Sequence, residues 1–257
     1  MYAELLRILH SMGRFGIALS GGLDSRFLAY SSLRAGCDFM CLTATGCHVP
    51  AEETDLAAEW CRGLGIRHVA VPVDVLAVPE VAVNSRDRCY GCKLMVFAVL
   101  KEAACGSVLA DGTNADDLRS FRPGLRALRE LGIRSPLAEA GLNKEDIRSL
   151  AAHTGLDRPH QAARPCLLTR LDYGMAPAVP LLERIGRAEA AVAALGIEEF
   201  RLRLKPGAAP VLQVAEDVEP DLLDMLLASL DRNGFSGAEI VSGVSVSGYF
   251  DRRGREY

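Results

Sequence analysis

The sequence predicts an α/β fold: a parallel β-sheet with crossover helices over residues 1–175, followed by a small α/β domain over residues 176–257. Three observations carry that prediction. In the first half of the chain, short apolar runs alternate with stretches of helical period. The first run, Gly16 to Leu19, passes directly into two adjacent glycines and then a helix-forming stretch. After an irregular Pro- and Arg-rich segment from Gly155 to Gly174, a new helix and further short strands begin.

The first of these turns, Gly16-Ile-Ala-Leu-Ser-Gly-Gly-Leu-Asp-Ser25, organises the chain. Gly21 and Gly22 lack a Cβ, so the backbone can turn sharply and bring its N–H groups against a polyanion. Ser20 and Ser25 add hydroxyls, and a helix from Ser25 to Arg34 points its first N–H groups and positive dipole end the same way. The result is a phosphate cradle. No Gly-Lys-Ser/Thr follows, so it is no Walker A loop, and the Gly-x-Gly-x-x-Gly spacing is absent too. Asp24 would repel phosphates unless a cation stood between them, which points to magnesium or to a role in orienting the loop.

Leu5, Leu6 and Leu9 form a helical stripe ahead of the first strand. Phe39 to Thr45 reads as the second strand. Glu52 to Leu64 reads as a helix with Leu56, Trp60 and Leu64 on one face, and His68 to Val73 as a third strand whose Pro72 suggests a sheet edge. Ligands of such sheets lie beyond the carboxyl ends of the strands, which brings Thr43 and Thr45 toward the nucleotide, although threonine is also an ordinary strand residue. Asp74 to Asp87 has no helical period and reads as a loop. Arg88-Cys-Tyr-Gly-Cys92 opens a helix through Leu100, and Cys89 and Cys92, three apart, turn their thiols the same way where the helix dipole favours thiolates. Val108 to Ala110 is a fourth strand. It delivers Asp111, Gly112, Thr113 and Asp116 to the edge where the glycine loop lies, with carboxylates suited to ribose and magnesium.

Arg122 and Arg134 stand beside prolines and suit phosphate clamping or plain solvation. Asn143 and Asp146 have the spacing of a helix cap. Arg164-Pro-Cys166 through Arg170 holds a cysteine in an electropositive setting. Residues 178–195 form a helix with Leu182, Ile185 and Val192 inward; strands at Phe200–Leu204 and Val211–Val214, a helix at Asp221–Leu230 and a strand near Ile240 follow. Arg201, Arg203 and Lys205 share one face of their strand.

With 257 residues and 49% hydrophobic content, the chain can bury a substantial core. No apolar run approaches the ~18 residues of a membrane span. The first residues show no basic stretch leading to a small-residue cleavage site, so a cytoplasmic location is expected. A net charge of −4 disfavours a large nucleic-acid footprint and favours a small-molecule substrate. Of the eight cysteines, Cys37, Cys41, Cys61 and Cys105 lie among apolar neighbours and are expected in the core, whereas Cys47-His48 follows a strand in a loop. Disulfides are not expected in such a chain.

The glycine loop resembles the Ser-Gly-Gly-x-Asp-Ser signature of the PP-loop, or N-type, ATP pyrophosphatases, whose fold is that of the adenine nucleotide alpha hydrolases. Together with Asp87-Arg-Cys-Tyr-Gly-Cys-Lys, Asp111-Gly-Thr-Asn-Ala-Asp-Asp, Phe121-Arg-Pro-Gly, Arg134-Ser-Pro and Cys166-Leu-Leu-Thr-Arg-Leu-Asp-Tyr-Gly, it is similar to the LarE-type sulfurtransferases of nickel-pincer nucleotide synthesis, which serve lactate racemase. The resemblance implies ATP and Mg2+ as cofactors and adenylation of pyridinium biscarboxylic acid mononucleotide. A carboxylate of that substrate then becomes a thiocarboxylate. It implies Ser20, Gly21, Gly22, Asp24, Ser25, Thr45, Asp111, Gly112, Thr113, Asp116 and Arg122 at the nucleotide, and Arg170, Arg201 and Arg203 at the substrate. Cys89, Cys92 and Cys166 are implied as ligands of a 4Fe-4S cluster charged by a sulfide donor, in a homo-oligomer. One kind within this family instead sacrifices the sulfur of the cysteine at the position of Cys166. Zinc, with His160 as fourth ligand, is the rival metal. Lys205 and Gln213 depart from the family's pattern, where a histidine and a glutamate are common. Other readings are a tRNA thiolase, an amide-forming synthetase like NAD or asparagine synthetase, or a nucleotide-binding module without turnover.

Overall fold

The computed structural model describes residues 1–119, 123–246 and 249–252, so the expected contact of Arg122 lies outside the described residues. Two compact units emerge: Met1–Val78 with Asp87–Arg164, and Pro79–Arg86 with Pro165–Tyr257.

The first unit opens with α1 (Tyr2–Ser11), β1 (Phe15–Ala18), α2 (Leu23–Arg34), β2 (Phe39–Thr45), α3 (Ala51–Gly63) and β3 (His68–Pro72). A short helix, α4 (Pro79–Ala82), belongs to the second unit. The first unit then resumes with α5 (Arg88–Ala103), β4 (Val108–Ala110), α6 (Ala115–Arg119), α7 (Gly124–Glu130), α8 (Pro136–Glu139) and α9 (Lys144–Thr154). Its four strands are all parallel in the order β3-β2-β1-β4, which places Pro72 on an edge strand as expected. The order has a functional consequence. From β1 the chain steps outward through β2 to β3, then returns to the other side of β1 for β4. The C-terminal ends of β1 and β4 therefore flank a topological switch point, the place where open α/β sheets bind ligands.

Helices cover both faces of the sheet. On one, Leu5, Leu9, Ile17, Phe27, Leu28, Leu137 and Ile147 pack into one core; on the other, Leu42, Leu100 and Leu109 meet Phe97 and Leu128. The apolar stripe of α1 falls on Leu5, Ile8 and Leu9 because these recur at helical spacing. In α9 the sequence terminates cleanly at both ends. Asn143 Oδ1 accepts from Asp146 N–H at 2.9 Å, Asp146 accepts from Asn143 N–H, and Gly155 ends the helix at φ 83°.

Three expectations are corrected here. The inward face of α3 is Ala57 and Cys61 rather than Leu56, which is 42% exposed; small residues let the helix sit close to the sheet, and the larger Leu56 is left outside. The Asp74–Asp87 segment folds into a 3-10 turn at Val75–Ala77 and the short α4, anchored by buried Val75 and Val81, not an open loop. Cys41 and Cys61 are in the core as expected, but Cys105 is exposed in a turn at φ 52° and Cys37 is only half-buried.

The second unit holds a 3-10 turn at Leu167–Arg170, α10 (Val179–Ala193), β5 (Phe200–Arg203), β6 (Val211–Val214), α11 (Pro220–Arg232), β7 (Glu239–Val241) and α12 (Tyr249–Arg252). β5 and β6 run antiparallel, β6 and β7 parallel. Leu182, Ile185 and Val192 are fully buried, the inward face that their spacing dictates.

Candidate functional site

At the end of β1, Leu19 N–H still bonds Leu42 O at 2.8 Å, and the chain then leaves the sheet. Thr43 holds this exit from below: its hydroxyl donates to Leu19 O at 2.8 Å and is met by His68 Nε2 at 2.8 Å. Because Thr43 gives its only proton to Leu19, His68 donates from Nε2. Gly21 takes φ 77°, a left-handed conformation that disfavours a side chain, and Gly22 caps α2 in extended conformation. No side chain caps that helix end, so its first N–H groups face the loop. The serines lock the turn. Ser25 Oγ donates to Gly22 O at 3.1 Å and accepts from Ser20 N–H at 3.2 Å, and the two hydroxyls stand 3.2 Å apart.

The second loop packs directly on the first. Gly112 lies so close to α2 that a Cβ there would stand 2.8 Å from Ser25 N. Asp111 is buried and accepts from Thr113 Oγ1 at 2.5 Å and Ser135 Oγ at 2.7 Å. Asn114 Oδ1 accepts from Asp116 N–H at 2.9 Å, while its Nδ2 donates to Asp24 at 3.4 Å. Asp116 in turn accepts from Lys144 N–H at 2.9 Å. Thr45 closes β2, its carbonyl accepting from Val73 N–H at 2.8 Å.

Sequence reasoning missed Lys144. Its ammonium lies 2.7 Å from Asp24 Oδ1, so the cation next to that carboxylate is a lysine from the first residue of α9. The available signal was the cap itself: Asn143 fixes where α9 begins and therefore where the next side chain points. Asp24 and the neighbouring carboxylates still suit magnesium, which takes one or two carboxylates and completes its shell with phosphate oxygens and water.

In the first turn of α5, Cys89 is exposed and Cys92 half-buried. That turn is fastened to α7: Tyr90 donates to Glu130 at 2.7 Å, and the Arg126 guanidinium lies 3.6 Å from the Tyr90 ring centre. Between them a cavity of about 400 Å³ runs from Asp87 and Tyr90 to Thr113 and Ser135, flanked by Arg126 and Arg129. Tyr90, from the first turn of α5, and Thr113, from the loop after β4, thus line one cavity, and Cys89 and Cys92 are not among its lining residues.

In the second unit Cys166 caps the 3-10 turn and is half-buried. Arg170 and Glu189, both nearly buried, form a two-pronged pair at 2.8 and 2.7 Å, and Arg170 also donates to Pro165 O at 2.8 Å and Cys166 O at 3.3 Å. Arg203 donates to Gln213 Oε1 at 2.9 Å, Thr169 O at 2.7 Å and Val246 O. Arg201 is 3% and Arg203 4% exposed, so these charges are inside the unit rather than on a solvated strand face. Burial first, then repulsion from Arg170 and Arg201, pulls Arg203 down to about 10. Three buried guanidiniums, with the Glu189 carboxylate paired to Arg170, make a strongly cationic interior. Among the described residues, no three His, Cys, Asp or Glu side chains are gathered closely enough to hold a metal ion.

A four-stranded parallel sheet with a serine-glycine loop at its switch point defines an α/β protein of the adenine nucleotide alpha hydrolase type. No family model matches the chain. It is 34% identical over 233 residues to the uncharacterized protein slr1717 of Synechocystis sp., covering 88% of this chain and 86% of that one, and belongs to the same family. It is also 32% identical to the uncharacterized protein MJ0830 of Methanocaldococcus jannaschii over 67% of each chain. The pyridinium-3,5-bisthiocarboxylic acid mononucleotide synthase of Lactiplantibacillus plantarum, a LarE-type protein, is a more distant homologue at 29% over 78% of this chain and 75% of that one. Among the described residues no helix is long and apolar enough to cross a membrane.

Proposed function

We propose that the protein is an ATP-dependent sulfurtransferase that adenylates a carboxylate of pyridinium biscarboxylic acid mononucleotide, releases pyrophosphate, and converts the activated group to a thiocarboxylate. The observation that carries this reading is the cavity lined by Thr113 of the loop after β4 and by Tyr90, which stands between Cys89 and Cys92 in the chain. A carboxylate resists nucleophiles because of its charge and its poor leaving group. Joining it to AMP supplies a leaving group, and a sulfur nucleophile then displaces AMP. Ser20, Gly21, Gly22 and Ser25 are assigned to the ATP phosphates; Asp24, paired with Lys144, would hold Mg2+, which would neutralise phosphate charge when bound. Thr45, Asp111, Gly112, Thr113 and Asp116 frame the rest of the nucleotide. Backbone N–H groups at the start of α2 stabilise the departing pyrophosphate.

Arg201 and Arg203 are assigned to the anionic groups of the substrate, and Arg170 holds the backbone that carries Cys166. Cys89, Cys92 and Cys166 are assigned to sulfur delivery as ligands of a 4Fe-4S cluster, a role supported by their being thiols, two of them in one helix turn. When bound, such a cluster would hold sulfide as a replaceable ligand. We place the reaction in the cytoplasm, in a homo-oligomer fed by a sulfide donor. The test is anaerobic incubation of iron-loaded protein with ATP, Mg2+, the mononucleotide and excess sulfide, followed by mass spectrometry of product and protein. More than one thiocarboxylate per chain, with Cys166 intact, is expected. A single turnover leaving dehydroalanine at position 166 would assign the sulfur to Cys166 itself, and absence of pyrophosphate would refute the reading.

A further inference from the structure

Arg26 follows the glycine loop by one residue and is 1% exposed, yet its Nε has no partner. A buried guanidinium with an unmet donor does not favour stability. Its other nitrogens show where it is directed. Nη1 donates to Asp157 O at 3.1 Å and Asp157 Oδ2 at 2.8 Å, while Nη2 donates to Arg158 O at 3.3 Å and Gln161 Oε1 at 2.7 Å. Arg158 is held at φ 47°, a left-handed conformation that a non-glycine residue adopts only under constraint. Further along, Arg164 donates to Glu53 at 3.2 Å, so the segment from Asp157 to Arg164 is fastened at both ends to helices beside the loop.

The bond to Gln161 fixes which way its amide faces. With Oε1 engaged by Arg26, Nε2 is turned to Gly21 O, to which it donates at 3.4 Å. The Gly21–Gly22 peptide is trans and planar, so a carbonyl drawn toward Gln161 forces the Gly22 N–H to the opposite side. There it donates to Ser20 Oγ at 3.4 Å. Between two glycines such a peptide otherwise rotates at little cost.

We infer that Gln161, oriented by Arg26, is a positioning residue that holds the Gly21–Gly22 peptide with its N–H on the side of Ser20 Oγ, where the phosphates are assigned, and its carbonyl away from them. The inference rests on the assignment of that loop to ATP. A flipped peptide would present an oxygen to the polyphosphate, so Gln161→Leu, nearly isosteric, is expected to weaken MgATP binding roughly tenfold, or about 1.4 kcal/mol. Arg26→Lys, which keeps the charge beside Asp157 but not the fork, should weaken it in the same direction.

Two measurements separate the claims. Calorimetry with MgATP compares parent, Gln161→Leu and Trp60→Phe; the last removes the indole bond to Asp157 Oδ1, 2.9 Å long, while keeping an aromatic ring beside the Arg26 guanidinium, and should bind as the parent does. The Gly22 amide resonance, recorded without nucleotide, reads the peptide directly and should shift or broaden in Gln161→Leu. If the parent fails to bind MgATP, the nucleotide assignment of the loop falls, and the positioning role with it, whatever the amide does. If the parent binds but Gln161→Leu binds within twofold, or its Gly22 resonance is unmoved, the positioning role alone is overturned.

Discussion

Replacing Gly112 by alanine tests whether the two loops at the switch point form one unit. A Cβ at this position stands 2.8 Å from Ser25 N, 3.1 Å from Asp24 C and 3.1 Å from Ser25 Cα, all backbone atoms with no rotamer to yield. Ordinary carbon contacts lie at roughly 3.5 to 4.0 Å, so one loop must move by about half an ångström or more. Overpacking of this kind costs about 1–3 kcal/mol. The moving part is the start of α2, so the N–H groups assigned to phosphate shift as well, and displacement of such groups by ~1 Å can cost on the order of a hundredfold in activity. Urea denaturation should show the stability loss, and MgATP calorimetry a clear fall in affinity. Gly22→Ala is the matched comparison. At φ −71° any residue is allowed there, and its Cβ meets nothing closer than Ser20 Oγ at 3.5 Å. That variant should lose less than about 1 kcal/mol of stability while still weakening ATP binding, because its methyl is added to the loop assigned to the phosphates. A Gly112→Ala protein as stable as the parent and equal in ATP affinity would refute the argument.

Burial pulls His48 down from 6.5 to about 4, and its Nδ1 lacks a partner. The unfolded chain therefore takes up a proton that the folded chain refuses between those pH values, and stability is full above pH 6.5 and falls as pH drops toward 4. Denaturation at pH 7 and pH 5 should differ by roughly 2 kcal/mol through this group, and His48→Gln should flatten that slope. Glu189→Gln leaves the buried Arg170 without its counter-charge, and a loss of about 3 kcal/mol is expected, measured by chemical denaturation. Lys144→Met leaves the Asp24 carboxylate without its cation at the loop assigned to the phosphates. It should lower MgATP affinity by about tenfold or more in calorimetry, with the effect reduced at higher salt.

Much of the first unit was determined by the sequence alone, because its signals are local. Gly21 is glycine where φ is positive, Asn143 and Asp146 are spaced to cap one helix turn, Phe39–Thr45 is apolar over a strand's length, and Pro72 cannot donate to a central ladder. Each of these depends on residues within a few positions of one another. Partners brought together over long separations were decided by the tertiary structure. Lys144 reaches Asp24 across 120 positions, and β4 returns to the side of β1 that creates the switch point. The face of α3 was misjudged for the same reason: periodicity marks an apolar stripe, but the distance of closest approach to β2 and β3 selects Ala57 and Cys61 over Leu56. Arg201 and Arg203 alternate with leucines as solvated charges would, and only the packing around them, with Phe200 O accepting from Arg201 and Gln213, Thr169 and Val246 from Arg203, puts them inside. A sequence pattern states what a residue's neighbours along the chain allow; which atoms close over it is set by elements the pattern does not contain.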